Sequence, residues 1–226
     1  MRNYNLAIIP ARGGSKGIKN KNLKKINNKT LIQITFDAII DSKIFNEVVI
    51  TSDSNEILDH GRKIGAKTIK RPKKYSTDNA PSELAVSHIL RAGNYGDISN
   101  LGLFQPTSPL RTHNHIKKAF NLFTNNKCKS LISVSSLDSK YLKLFYETEQ
   151  DLNSISPELP FMPRQKLPRA YLPNGAIYLS KFSHFIKNQS FASNKMGIFK
   201  MSIKSSLDID TPKDLRLAKK ILLGSK

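Results

Sequence analysis

The sequence contains little of what would place it in a specialised class of protein. It has one cysteine, Cys128, so no disulfide framework forms within the chain and no cysteine pair has a zinc-finger spacing. It has no tryptophan, and only 17 acidic residues against 37 basic ones. The first apolar run, Leu6 to Pro10, is too short for a signal peptide or a membrane span. We therefore expect a soluble cytoplasmic protein with no membrane partner.

The composition is that of a globular protein with a strong excess of basic residues. The 226 residues suit a single domain over 1–226, and 38% hydrophobic residues exclude disorder. A net charge of +20 keeps a nucleic-acid-binding protein open as an alternative class. However, the lysines run from end to end, and the two denser clusters follow predicted strands, where a nucleoside triphosphate is as natural a partner. These clusters are Lys16, Lys19, Lys21, Lys24 and Lys25, and Lys67, Lys70, Arg71, Lys73 and Lys74.

Hydrophobic periodicity predicts alternating strands and helices along most of the chain. That alternation predicts a largely parallel sheet with helices on both faces. Pro81 suits the first position of one helix, and Thr211, Pro212 and Asp214 suit the N-cap, N1 and N3 positions of the last. Predicted strands cover 6–10, 48–51, 66–70, 101–104, 131–134, 176–179 and 198–203. Prolines punctuate the stretch after Asp138, which predicts an insertion instead of another strand-helix unit.

Three segments carry candidate chemistry. The glycine-rich stretch Pro10 to Gly17 follows a strand, so its amides and its basic side chains suit phosphate oxygens, although a plain polar turn fits as well. Asp208 and Asp210 project to one face of an extended chain, as Mg²⁺ ligands would, yet Asp210 alone reads better as a helix N-cap. Gln105 and Thr107 follow a predicted central strand, at the edge where ligands bind α/β sheets, although a proline-rich turn is the alternative.

Taken together and in register, these segments resemble the cytidylyltransferases that activate nine-carbon ulosonic acids, above all the CMP-N-acetylneuraminate synthetases. The likeness covers nearly the whole chain. The first motif is shared by several related synthetases, whereas QPTSPLR, RQKLP and PNGAIY are more discriminating. The matching motifs are PARGGSKGIKNKNL at 10–23, TSDS at 51–54, RP at 71–72 with 78–82 after it, QPTSPLR at 105–111, RQKLP at 164–168, PNGAIY at 173–178 and SLDIDTPKDL at 206–215.

The resemblance implies an architecture. It implies a Rossmann-like α/β nucleotidyltransferase, a three-layer sandwich with a mixed, mostly parallel sheet. It also implies a homodimer, in which a small extension at about 138–172 interlocks two subunits. The partner's extension then completes the sugar site.

The resemblance also assigns roles to particular residues. It makes Arg12, Lys21 and Asp210 catalytic, and Asp208 and Asp210 ligands of Mg²⁺, with Mn²⁺ as the alternative. The CTP-binding positions are Arg12, Ser15, Lys16, Lys21, Asn22, Arg71, Ala80 and Ser82. The sugar-binding positions are Gln105, Asn174, Tyr178 and Phe191, together with Lys143 and Arg164 from the partner subunit.

The resemblance implies a reaction: the anomeric hydroxyl of N-acetylneuraminic acid attacks the α-phosphorus of CTP and pyrophosphate leaves. Legionaminic acid or another nonulosonic acid is the nearest alternative. One reason is that Ala192 follows Phe191, where some members of the family have two adjacent aromatics. A Kdo-specific enzyme fits the motifs less well, and we expect no specific nucleic-acid partner.

Overall fold

Seven strands of this protein form one mixed sheet. The computed structural model describes residues 4–15, 17–77, 79–93, 95 and 97–224. The sheet has the strand order β11-β7-β10-β6-β1-β4-β5, and two further pairs, β2 with β3 and β8 with β9, are small hairpins. The strands are β1 (Tyr4–Pro10), β2 (Lys25–Ile26), β3 (Lys29–Thr30), β4 (Glu47–Ser52), β5 (Lys67–Lys70), β6 (Ile98–Leu103), β7 (Ser130–Leu137), β8 (Phe145–Glu147), β9 (Leu152–Ser154), β10 (Ala170–Lys181) and β11 (Met196–Met201).

Helices cover both faces of the sheet, which confirms the predicted three-layer sandwich. Side chains of β1 alternate, so Ala7 and Ile9 pack with α1, α2 and α4, while Leu6 and Ile8 pack with α3 and α5. A smaller core joins α6 to the start of α1. The helices are α1 (Leu31–Ser42), α2 (Asn55–Lys63), α3 (Ser82–Ala92), α4 (His113–Asn125), α5 (Phe182–Asn188) and α6 (Pro212–Leu223). No helix among the described residues is long and apolar enough to cross a membrane.

The sheet is parallel except at β10, which runs antiparallel to both of its neighbours, β6 and β7. The chain goes from β1 to β4 and β5 on one side and then returns to β6 on the other side of β1. This reversal creates a switch point between β1 and β6, where α/β sheets bind ligands at the carboxyl ends of their strands. The loops after β1 and β6 therefore flank the expected ligand position.

Some element ends differ from the sequence-based expectation. The helix expected to begin at Pro81 begins at Ser82, because Pro81 has an extended ψ of 146° and occupies the N-cap. The strand expected at 176–179 is longer, since Ala170–Lys181 pairs along both edges. The strand expected at 198–203 lies two residues earlier and ends at Met201, after which Ile203 has helical dihedral angles. In α6 the predicted capping residues are confirmed: Thr211 is the N-cap and Asp214 completes a capping box.

The segment predicted as an insertion forms its own small structure. It contains 3-10 turns at Ser139–Lys143, Leu159–Phe161 and Arg164–Lys166, together with the β8–β9 hairpin. We call this segment, residues 138–172, the extension. It leaves large apolar side chains in solvent, among them Tyr141, Leu144, Phe145, Tyr146, Leu152, Ile155, Phe161 and Leu172.

The capping box of α4 links helix stability to pH. The Thr112 N–H donates to His115 Nδ1 at 3.2 Å, so this nitrogen must be unprotonated. Burial lowers the pKa of His115 below its ordinary value of 6.5, and Lys118 and Arg111 lower it further. A lowered folded-state pKa means that the contribution to stability is complete above 6.5 and is lost as the pH falls through the folded-state value.

We therefore predict that the free energy of unfolding falls between pH 7.5 and 5.5, in part through His115. A glutamine at the same helix position also accepts the capping hydrogen bond but does not titrate. His115→Gln should reduce the loss by about 1 kcal/mol, the scale of one helix cap. Urea unfolding at the two pH values measures this, with His113→Gln as the control because the box does not include His113. An equal loss in wild type and His115→Gln would contradict the assignment.

Candidate active site

The carboxyl edge of the sheet holds a polar cavity of about 290 Å³. Four segments that are distant in sequence line it: the loops after β1, β5 and β6, and the segment between β11 and α6. Seven of the residues predicted to bind CTP meet there, as do Gln105, Asp208 and Asp210. The lining comprises Pro10, Arg12, Ser15, Lys21, Asn22, Arg71, Tyr75, Ser76, Thr77, Ala80, Ser82, Gln105, Pro106, Thr107, Asp208 and Asp210. Lys16, also predicted to bind CTP, and Asp78 lie outside the described residues.

Side chains bind the backbone of the loop after β1 and hold it in place. The Gly13 N–H donates to Asp53 Oδ1 at 2.9 Å, and the buried Asn22 amide donates to the Arg12 carbonyl at 3.0 Å. A Cβ on Gly17 would clash with the backbone carbonyl of Asp210, so glycine lets this loop approach the acidic segment. The Asn22 side chain therefore holds the backbone of this loop in place and also lines the cavity.

Buried cations line one side of this cavity. Arg71 is buried, and its Nε donates to Ser76 Oγ at 2.9 Å. Burial lowers the pKa of Arg71, the charge of Arg12 lowers it further, and Asp53 opposes both. The Lys21 side chain is only 16% exposed. Cations partly removed from water in a concave site favour a polyanionic ligand.

The acidic side of the cavity is formed by Asp208 and Asp210. Burial raises the pKa of Asp208, the charge of Asp210 adds to this, and a Thr107 hydrogen bond and Lys21 oppose it. Asp208 Oδ1 is buried without a hydrogen-bond partner. Asp210 is 72% exposed and pairs with Lys21 Nζ at 2.9 Å. Since Thr211 is the N-cap of α6, the alternative reading of Asp210 as that cap is wrong.

A second cavity of about 360 Å³ shares two residues with the first, Gln105 and Asp208. The start of β10 forms much of its wall. Three residues predicted to bind the sugar, Gln105, Asn174 and Tyr178, line it. Its lining comprises Gln105, Ser135, Leu172, Pro173, Asn174, Gly175, Tyr178, Ser206 and Asp208, with no lysine or arginine among these described residues.

The other three predicted sugar-site residues lie elsewhere in this subunit. Phe191 is 3% exposed and packs behind Tyr178 and Phe185, with ring centroids 5.7 and 5.2 Å away. Lys143 and Arg164 lie in the extension, where Arg164 pairs with Asp138 at 3.2 Å. Neither lines the cavities described above. Their predicted role requires a second subunit and stays a prediction.

Sequence reasoning missed part of the first cavity. Tyr75, Ser76 and Thr77 line it from a 3-10 turn that follows Arg71. The hydrogen bond from Arg71 to Ser76 holds this turn against the cavity, and no motif identified it in advance. Arg111 was quoted only as part of a motif, yet it is fully buried, and burial lowers its pKa to about 9. Its Nη1 donates to the carbonyls of Gln105 and Ala176 at 3.1 and 3.0 Å.

The geometry agrees with the comparisons with known proteins. Residues 6–224 match the Cytidylyltransferase family. The chain belongs to the cytidylyltransferase family. An N-acylneuraminate cytidylyltransferase of Escherichia coli O18:K1:H7 is 34% identical over 96% of this chain and 52% of its own length. The chain thus spans about half the length of the first curated relatives that it matches.

Other relatives in the cytidylyltransferase family carry different sugar names at similar identity. A pseudaminic acid cytidylyltransferase of Campylobacter jejuni is 33% identical over 95% of this chain and 94% of the relative. A CMP-N,N'-diacetyllegionaminic acid synthase of Legionella pneumophila is 32% identical over 96% of this chain and 95% of the relative. Identity alone therefore does not choose among these sugars.

A solved structure shows the same fold. CMP-2-keto-3-deoxy-manno-octonic acid synthetase, solved with CTP, superposes with a TM-score of 0.75 at 16% identity and covers 99% of this chain and 100% of that chain. This likeness confirms the predicted Rossmann-like nucleotidyltransferase fold.

The shared wall of the two cavities depends on a glycine. Gly175 has φ +72°, and a Cβ there would lie 2.5 Å from Gln105 Oε1. Gly175→Ala should displace Gln105 and lower the kcat/KM of cytidylyl transfer by about tenfold or more. Gly65→Ala is the matched control, because Gly65 also has a positive φ, +92°, but no site residue near its Cβ. Equal kinetic losses in the two variants would contradict a role for the Gly175 contact.

Proposed function

We propose that this protein transfers CMP from CTP to the anomeric hydroxyl at C2 of a nonulosonic acid, with N-acetylneuraminic acid as the first candidate, and releases pyrophosphate. Two adjoining cavities that share Gln105 and Asp208 carry the proposal. One has the cations that a triphosphate needs, and the other is the adjoining space for an acceptor. A legionaminic or other nonulosonic acid is the alternative acceptor, because relatives named for these sugars are about as similar.

The reaction depends mainly on the relative positions of the sugar hydroxyl and the α-phosphorus of CTP. The hydroxyl oxygen forms a bond to the α-phosphorus as the bond to pyrophosphate breaks, and the hydroxyl proton is released. Holding the two substrates in adjoining cavities brings the hydroxyl close to the α-phosphorus, and such positioning is a large part of the rate enhancement of a group transfer. Arg12 and Lys21 stabilise the charge that develops on the departing pyrophosphate.

The acidic pair suits a divalent cation, Mg²⁺ or Mn²⁺. Mg²⁺ is commonly held by one or two carboxylates together with substrate phosphates. Asp208 and Asp210 supply the carboxylates, and the unpartnered Asp208 Oδ1 fits a ligand role. No group of three His, Cys, Asp or Glu residues in the described part of the chain could hold a metal ion, so substrate phosphate oxygens and water would supply the remaining ligands. When bound, the cation would orient the α-phosphate and favour ionisation of the hydroxyl.

Pyrophosphate release by the purified protein tests the proposal. CTP, UTP, ATP and GTP are each run with Mg²⁺ against N-acetylneuraminic, legionaminic, pseudaminic and Kdo acids. We expect release with CTP and a nine-carbon acid, N-acetylneuraminic acid first. Release only with another nucleotide, only with Kdo, or with no pair for a folded protein would contradict the proposal.

Asp210→Ala tests the acidic pair. Removal of one charge-stabilising group should lower turnover by about two orders of magnitude or more. Asp37→Ala is the control, because Asp37 is a carboxylate on α1 that pairs with Lys29 at 2.6 Å and lines neither cavity. Loss of one surface ion pair should cost at most about 1 kcal/mol of stability and leave the turnover of folded protein unchanged. Near-normal turnover of Asp210→Ala would remove Asp210 from the proposed machinery.

The sugar carboxylate needs a cation that the lining of the second cavity lacks. We propose that a homodimer supplies it, with Lys143 and Arg164 reaching the partner's cavity. The large apolar side chains exposed on the extension support this, since apolar surface exposed in quantity is typical of an interaction site. Phe161, at 84% exposed, is the most solvent-accessible of them.

Analytical ultracentrifugation over a concentration series tests the dimer. Phe161→Ser should shift the equilibrium toward monomer and raise KM for the sugar acid, because the cations of the partner subunit are then withdrawn. Ile203→Ser is the control, because Ile203 is 77% exposed and lies outside the extension. A monomeric wild type that turns over normally would overturn the dimer proposal.

A further inference from the structure

Asn174 is buried, and other protein atoms occupy every hydrogen-bonding position of its amide. Its Oδ1 accepts from Ser133 Oγ at 2.6 Å and from the Ala176 N–H at 3.2 Å. Its Nδ2 donates to Ser206 Oγ at 2.8 Å and to Met201 Sδ at 3.4 Å. A carboxamide has two acceptor and two donor positions, so all four are used.

A saturated amide is a poor ligand for a sugar. A sugar hydroxyl that bonded to Asn174 would displace one of these partners and leave a buried polar group unpaired, which is unfavourable. Asn174 is only 7% exposed although it borders the second cavity. Direct contact with the sugar, the role that the family resemblance implies, therefore has no free hydrogen-bonding position to use.

The amide instead connects β10 to the acidic segment. Ser206 Oγ accepts from Asn174 and donates to the Ser202 carbonyl at 2.8 Å, so the 3-10 turn at Lys204–Ser206 is held against β10. Asp208 follows two residues later. On its other side the Ile209 N–H donates to the Thr107 carbonyl at 2.9 Å. The backbone of Asp208 is thus held between one anchor on β10 and another on the loop after β6.

We infer that Asn174 is a positioning residue: through Ser206 it sets the position of Asp208 at the junction of the two cavities. This inference rests on the proposed function, because Asp208 matters there as the carboxylate between nucleotide and sugar. The inference also goes beyond the proposed function. It assigns a role to Ser206, and it makes positioning of Asp208, not sugar contact, the role of Asn174.

Steady-state kinetics separates positioning from contact. The variants are Asn174→Ala, Ser206→Ala and the double variant, with kcat and KM measured for CTP and for the sugar acid. Each single variant should lower kcat by about tenfold or more and leave KM for the sugar within about twofold. The double variant should be no worse than the more impaired single variant, because both remove one link.

Ser205→Ala is the matched control. Ser205 lies in the same turn, and its hydroxyl accepts from Ser202 Oγ at 2.9 Å, so the substitution removes a neighbouring hydroxyl without touching Asn174. It should retain wild-type kcat. A sugar KM raised tenfold or more in Asn174→Ala, with Ser206→Ala like wild type, would instead establish direct contact and overturn the inference.

Other failures remain distinguishable. If Asn174→Ala does not fold, Ser206→Ala removes the same hydrogen bond from the less buried side, and a wild-type kcat there overturns the inference. If the wild type turns over no sugar acid, the proposed function fails, and a crystal structure of Ser206→Ala decides the structural part. Asp208 should then move relative to Thr107 by about 1 Å, the scale at which misplacement affects rates. An unmoved Asp208 overturns it.

Discussion

The antiparallel course of β10 between β6 and β7 is the constraint on which the site depends. A parallel strand there would direct its amino end away from the carboxyl edge where the loops after β1 and β6 meet. Because β10 runs the other way, its first half delivers Asn174 and Gly175 to that edge, and Tyr178 follows three residues later. The buried guanidinium of Arg111 links β10 to the loop after β6, because its Nη1 donates to the carbonyls of both Gln105 and Ala176.

The Arg111 hydrogen bonds explain why the two cavities share a wall. Gln105 belongs to the β6 side of the junction and contacts the position of Gly175 on β10. Asp208 belongs to the segment before α6 and is held by Thr107 and, through Ser206, by Asn174. The wall is therefore assembled from three separate stretches of chain, which buried polar contacts hold together. An acceptor and a nucleotide on either side of such a wall are in the relation that a group transfer requires.

The charge distribution supports the same division of roles. Arg12, Arg71 and Lys21 belong to the first cavity, and no basic side chain is among the described residues that line the second. Lys21 and Asp210 both line the first cavity and pair with each other, so a bound triphosphate would take Lys21 as its partner and the accompanying cation would take Asp210. The net charge of +20 favours the approach of any anionic ligand over long range and does not select among such ligands.

The sequence predicted the layers and the cavity loops well because these depend on local pattern. The apolar period of the strands and the cap at Thr211 appear in short windows, and the structure confirms them. The turn at Tyr75 to Thr77 was missed because its place depends on a side-chain bond from Arg71. The saturation of Asn174 was missed for a similar reason, since its partners lie 41 and 32 residues away on other elements. Long-range polar contacts of this kind leave no periodic signal.

A crystal structure of the protein with CMP and a nonulosonic acid tests the central claim most directly. The account predicts the nucleotide phosphate among Arg12, Lys21 and Asp210, the sugar against Gln105 and Tyr178, and the anomeric oxygen beside the phosphate at Asp208. A sugar acid bound away from the second cavity, or a nucleotide bound outside the first, would contradict it.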